Sequence, residues 1–132
     1  MKILIADDEP VARQVLREYV ESMPSLEIAG EASTGSETLQ RILDLEPDLV
    51  LLDQQMPELD GLAVVRSLRG VRTPLIIFVT AYQQHAVEAF EVGAVDYLLK
   101  PVRRERLEKA IEKARRQWKG PVEAAAPRKI VG

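Results

Sequence analysis

The stretch DLVLLDQQMPELDG, residues 48–61, carries four apolar side chains, Leu49 to Leu52, straight into Asp53 and then into a turn-like MPELDG. An aspartate after a strand ordinarily caps the turn or helix that follows, so Asp53 alone decides nothing. The apolar run says more, because it lacks the in-out alternation of a strand with one wet face. KILIA (2–6), PLIIFVTA (74–81) and DYLLKP (96–101) share that property. Such runs are buried on both faces, as in a parallel sheet. LEIAGEA (26–32) alternates more and reads as a fifth strand.

Helical patterns lie between the strands. After Pro10, Val11, Val15, Tyr19 and Met23 recur every four residues, with Leu16 and Val20 filling out the same face. Leu39, Ile42 and Leu43 mark a second helix. Leu62, Val65 and Leu68 mark a third, which Gly70 is placed to end. Val87, Phe90 and Ala94 suggest a short fourth with Gly93 as its stop, and Leu107, Ile111, Ala114 and Trp118 form the stripe of the last. A strand-helix unit repeated five times implies right-handed crossovers and a parallel sheet covered on both faces.

The chain's 132 residues are enough for one domain with a substantial core. It has no cysteine, which excludes disulfides, thiolate metal sites and a cysteine nucleophile. No apolar run approaches a membrane span and residues 1–25 lack signal-peptide features, so the expectation is a cytoplasmic protein with no membrane association. The net charge of -3 is uneven: through Lys100 there are 17 acidic against 8 basic residues, and from Pro101 onward 4 against 10. A basic tail suits nucleic acid or an acidic partner, or simply a solvated helix face followed by a linker. After Gly120 the composition turns to PVEAAAP, so residues 1–119 read as the domain and 120–132 as a linker, with RKIVG the possible start of a further domain.

In a parallel sheet all carboxyl ends point the same way, and ligands bind in the crevice there. The residues ending the strands are Asp7 and Asp8, Asp53, Thr80 and Lys100. Clustered carboxylates repel unless a cation intervenes. Oxygen ligands without histidine or cysteine favour a hard ion, and Mg²⁺ commonly takes one or two carboxylates while binding a phosphate. A carboxylate is also a nucleophile that forms an aspartyl phosphate, and Asp53 is the natural acceptor. Lys100 and Thr80 are placed to meet phosphate oxygens.

These residues together resemble a response-regulator receiver domain, the phosphoacceptor module of two-component signalling. The resemblance rests on DDEP (7–10), LLDQQMPELDG (51–61), FVTAY (78–82) and DYLLKPV (96–102) and covers residues 1–118. It implies an α/β, flavodoxin-like (βα)5 doubly wound sheet in the order 2-1-3-4-5. It further implies phosphorylation of Asp53 by a sensor histidine kinase, with Mg²⁺ held by Asp8 directly, Asp7 largely through water, Asp53 and the backbone carbonyl of Gln55. Thr80 and Tyr97 match the switch pair, and Lys100 the phosphate-binding lysine, with a cis bond to Pro101. Gln55 and Tyr82 are expected beside the path of the attacking water, where they tune dephosphorylation. Gln54 departs from the family, which commonly has an apolar residue there.

The stretch from FVTAYQQHAVEAF through EKAR resembles receivers of the LytTR class, whose output is a DNA-binding transcription-regulatory domain beyond a linker. Arg103, Arg104, Arg106 and Lys109 facing Glu88 and Glu91 suggest a phosphorylation-dependent homodimer through the fourth-helix, fifth-strand, fifth-helix face. Two alternatives remain: a receiver-like interaction module that never uses phosphate, and an aspartate-nucleophile phosphatase. The second resembles haloacid-dehalogenase-type enzymes with an acid two residues past the nucleophile. Position 55 is Gln, which argues against it and for a protein that is not an enzyme beyond its own phosphorylation and dephosphorylation. A nucleotide-binding module is disfavoured because ADDEP is not glycine-rich. His85, with no carboxylate or cysteine motif around it, reads as a surface residue.

Overall fold

The computed structural model describes residues 1–68 and 72–120. The strands are β1 (Lys2–Ala6), β2 (Glu27–Ala32), β3 (Leu49–Leu52), β4 (Leu75–Thr80) and β5 (Asp96–Leu99). All pair in parallel, in the order β2-β1-β3-β4-β5. The helices are α1 (Pro10–Glu21), α2 (Gly35–Leu45), α3 (Gly61–Arg66), α4 (Ala86–Glu91) and α5 (Arg104–Gln117), with a 3₁₀ turn over Gln83–His85. This is the flavodoxin-like (βα)5 architecture that the apolar runs and the resemblance imply.

The unbroken apolar runs follow from two cores, one on each side of the sheet. Ile3, Ile5, Leu49, Leu51, Ile77 and Val79 pack under Leu16, Val20, Leu107 and Ile111 of α1 and α5. The alternate residues Leu4, Val50, Leu52, Ile76 and Phe78 face Ile42, Leu62, Val65 and Ala89 of α2, α3 and α4. Both faces are dry, so both sets must be apolar. The edge strand β2 is half-buried over most of its length, which explains its alternation.

Several helical expectations are corrected. Val11 is 77% exposed and Val15 also faces outward. At 3.6 residues per turn, residues four apart drift by about 40° per step, so the Val11-Val15-Tyr19 row winds off a face centred on Leu16 and Val20. Met23 is buried but lies beyond the end of α1. Leu43 points outward. In α4 the core contact is Ala89, while Val87 is 71% and Phe90 50% exposed. Leu68 is buried beyond the end of α3, and Trp118 is the half-buried residue at which α5 ends. Gly93 does follow α4 in the left-handed region, at φ +90°. The stop expected at Gly70 and the linker beyond Gly120 lie outside the described residues.

Side-chain caps fix two helix starts. Thr34 Oγ1 accepts from Glu37 N at 3.0 Å, and Asp60 Oδ1 from Ala63 N at 2.8 Å. Gly35, the first residue of α2, donates its N–H to Pro57 O at 3.1 Å. A Cβ there would lie 2.0 Å from Leu59 O. Replacing Gly35 with Ala is therefore expected to push the 57–59 loop away and destabilise the domain by about 1–3 kcal/mol; urea unfolding that matches the wild type would refute this contact.

Candidate functional site

The register that aligns Ala6 with Leu52 places the next residues, Asp7 and Asp53, side by side. Asp7 N–H bonds Ala32 O at 3.0 Å, and Asp53 N–H bonds Ala6 O at 2.9 Å, so each backbone extends the ladder while its carboxylate enters the crevice. Asp7 is fully buried and Asp53 is 4% exposed; Asp8 is exposed. One oxygen from each of the three lies within 4.8 Å of the others.

Lys100 reaches this cluster from the end of β5, its N–H anchored on Thr80 O at 2.8 Å. Its ammonium hydrogen-bonds Asp53 Oδ2 at 3.0 Å and the exposed Glu9 Oε1 at 3.1 Å. Asp7 Oδ2 is 2.7 Å from the same Nζ, so the ammonium bridges Asp7 and Asp53. Burial alone would lower the Lys100 pKa, but Asp7 and Asp53 outweigh it and hold the ammonium above its ordinary value. Burial pushes the Asp7 carboxyl up, and the Asp53 charge adds to the rise against the bonds from Lys100 and Glu9 N.

Asp7 Oδ1 accepts from Glu9 N at 2.9 Å, and Asp53 Oδ1 from Gln55 N at 3.2 Å. Two buried carboxylates that share one ammonium, with a third at the solvent edge, leave excess negative charge that fits a hard divalent cation, which takes oxygen ligands and keeps part of its water. Arg13 braces this rim. Its Nη1 donates to Asp7 O at 2.6 Å, while its Nε bonds Glu31 at 3.1 Å.

Thr80 is fully buried, and its Oγ1 accepts from Tyr82 N at 3.4 Å. Tyr97 is half-buried, 5.9 Å from Phe78 between ring centroids, and its hydroxyl donates to Tyr82 O. Gln55 and Tyr82 are exposed beside the crevice. The Lys100–Pro101 peptide is cis. His85 departs from its expected exposure: it ends the 3₁₀ turn half-buried, with Nδ1 3.5 Å from Glu88 Oε1. Among the basic residues expected on the dimer face, Arg106 is already engaged, donating 3.0 and 2.9 Å hydrogen bonds to the two oxygens of Asp96. Arg104 turns away to Ser22 at 2.9 Å.

Glu9, Arg13 and Gln54 escape the sequence reading as site residues. Glu9 stands in the quoted DDEP, but nothing local reveals its pairing with Lys100, 91 residues away. Arg13 finds its carboxylate on a neighbouring strand, where no spacing rule points.

A doubly wound sheet with three carboxylates and a lysine converging at its carboxyl ends has the place and the side chains of a crevice binding site. Residues 3–112 match the response regulator receiver domain, and the chain belongs to that family. Over 117 residues it is 43% identical to the transcriptional regulatory protein BtsR of Escherichia coli (strain K12), covering 89% of this chain and 49% of that one. It is 44% identical over 119 residues to an uncharacterized response regulatory protein of Vibrio cholerae, covering 90% and 50%. The crystal structure of the response regulatory domain of protein mrkE from Klebsiella pneumoniae superposes with a TM-score of 0.83 at 34% identity, covering 89% of this chain and 98% of that one. The chain spans about half the length of the curated relatives it matches.

The raised Asp7 pKa carries a stability consequence with a definite sign. Below the unfolded value of 3.8 the carboxyl is neutral in both states and costs nothing. As pH rises from 3.8 toward the higher folded value the unfolded carboxyl ionises while the folded one resists, so a penalty develops, is complete above the folded value and persists at neutral pH. Asp7→Asn removes it, while Lys100 keeps Asp53 and Glu9. Thermal melts of the metal-free protein at pH 7 are expected to show the variant unfolding a few degrees higher, with the two proteins converging below pH 3.8. A lower midpoint for the variant at pH 7 would refute the assignment.

Proposed function

We propose that this receiver domain accepts a phosphoryl group on Asp53 from a sensor histidine kinase. The reading rests on one observation: Asp53 is nearly buried, bonded to Lys100, and within 4.8 Å of two further carboxylates. Asp7, Asp8, Asp53 and the backbone carbonyl of Gln55 would hold Mg²⁺. When bound, that ion supplies positive charge to the transferring phosphoryl oxygens.

The Asp53 carboxylate attacks phosphorus, an O–P bond forms, the donor's N–P bond breaks, and the departing imidazole nitrogen keeps the electron pair and takes a proton from solvent. Lys100, already charged, is positioned for an oxygen of the new phosphoryl group. Thr80 turns its hydroxyl from Tyr82 N toward another, and Tyr97 follows. Gln55 and Tyr82 flank the route by which water later hydrolyses the acyl phosphate. Turnover is limited to this gain and loss of the protein's own phosphoryl group, in the cytoplasm.

The output is an attached transcription-regulatory domain of the LytTR class, contacting DNA beyond this chain. Phosphorylation promotes a homodimer through α4, β5 and α5, with the exposed Val87, Phe90 and Leu99 at its centre. With Arg106 and Arg104 already engaged, apolar contact replaces much of the charge pairing that the sequence suggests.

Incubation with a small phosphodonor and Mg²⁺ should add the mass of one phosphoryl group to the intact protein, and both Asp53→Asn and removal of Mg²⁺ should abolish it. Persistence of the gain in Asp53→Asn would overturn the acceptor assignment. Absence of any gain in the wild type would favour an interaction module independent of phosphate. Replacing Gln55 or Tyr82 should change the phosphate lifetime without preventing labelling. In light scattering the phosphorylated wild type should approach dimer mass and Val87→Glu should stay monomeric; a fully phosphorylated monomer would refute the dimer.

A further inference from the structure

Gln54, the residue after Asp53, is 2% exposed. Gln54 Oε1 accepts a 2.8 Å hydrogen bond from Leu62 N, and its backbone oxygen accepts one from Gly61 N at 2.9 Å. The first amides of α3 have no partners within the helix. Gln54 takes the first two, and Asp60 Oδ1 takes the third, from Ala63 at 2.8 Å. Leu62 is itself buried, so its N–H has no recourse to water.

The packing beneath these bonds is tight. A Cβ on Gly61 would lie 2.7 Å from Asp53 O and 2.9 Å from Phe78 Cε1. The start of α3 therefore rests on the backbone of Asp53 itself. Between the two clamped ends runs the 55–60 loop, and its first residue donates Gln55 N–H to Asp53 Oδ1 at 3.2 Å. The carboxamide of Gln54 thus closes a loop that aims the Asp53 carboxylate.

We propose that Gln54 is a positioning residue for the cation site: through Leu62 N–H it fixes the loop that presents Asp53 Oδ1 and the Gln55 carbonyl to Asp7 and Asp8. The proposal rests on the reading of this cluster as a Mg²⁺ site. It differs from a purely structural role because α3 has a second side-chain cap in Asp60, whose Oδ1 accepts from Ala63 N at 2.8 Å. The two caps separate helix stability from site geometry.

The test uses Mg²⁺ alone, titrated calorimetrically into the full chain, with thermal melts in parallel. Gln54→Met keeps the volume without the acceptor, and Gln54→Asn keeps the carboxamide too short to reach Leu62. Both should bind Mg²⁺ about tenfold more weakly, the size of effect seen when groups that orient metal ligands are removed. Asp60→Ala should lower the melting midpoint yet hold its Mg²⁺ affinity within roughly twofold of wild type, because it leaves those orienting bonds in place. Wild-type affinity in both Gln54 variants, or an equal loss in Asp60→Ala, would overturn the proposal. A wild type that binds no Mg²⁺ overturns it together with the cation-site reading. A wild type that takes up Mg²⁺ and phosphate while the Gln54 variants bind normally overturns the positioning role alone.

Discussion

Asp7 and Asp53 end adjacent parallel strands with almost no access to water, and the Lys100 ammonium lies between them. Two unit charges about 4 Å apart repel by about 4 kcal/mol at the effective dielectric of a protein surface. The fold holds this repulsion in place instead of relieving it. Burial foremost, with the Asp53 charge adding to it, raises the Asp7 carboxyl, and attraction to Asp7 and Asp53 holds the Lys100 ammonium above its ordinary value. Lys100 compensates part of the charge. One ammonium does not balance three clustered carboxylates, and the residual negative charge is what a divalent cation would meet.

Holding such a cluster requires a backbone that does not yield. Both faces of β1, β3 and β4 are sealed by helices, so the strand ends cannot splay without opening one core or the other. The loops are tied in turn: Arg13 grips the carbonyl of Asp7, and Gln54 stitches the loop after Asp53 to α3. Stability spent on the carboxylates is recovered in the apolar layers, the usual division between scaffold and site.

The fold was legible because its decisive signal is local. Four apolar runs too short for helices, without alternation and spaced by helical patterns, read as strands covered on both sides, and in a parallel sheet the residues ending them fall on one rim. Side-chain identity at Asp7, Asp8, Asp53, Thr80 and Lys100 was legible for the same reason. What the sequence hid depends on angles and long-range partners. Val11 and Val15 share a helical row with core residues yet rotate out of the core. Val87 and Phe90 read as the buried side of α4 because a short helix offers too few turns to fix its phase, and the small Ala89 holds the contact instead. Arg106 gave no sign that Asp96, ten residues earlier, had already claimed it. Gln54 looked like an anomaly because its partner amide, Leu62 N–H, becomes a neighbour only when the loop closes.

The same features explain how a change of charge at Asp53 would reach the far side of the domain under the proposed function. Tyr82 is held by both of its backbone polar groups, its N–H by the Thr80 hydroxyl and its carbonyl by the Tyr97 hydroxyl. Under that function, drawing Thr80 toward a new anion would release the first and loosen the second, and the 3₁₀ turn that follows would lose its anchors together. The adjoining α4 is six residues long, buries Ala89 and exposes Val87 and Phe90, so little apolar area resists its displacement. A rigid, charge-strained rim is thus joined to the lightly anchored α4, and under the proposed function the exposed Val87 and Phe90 would sit on the part that moves.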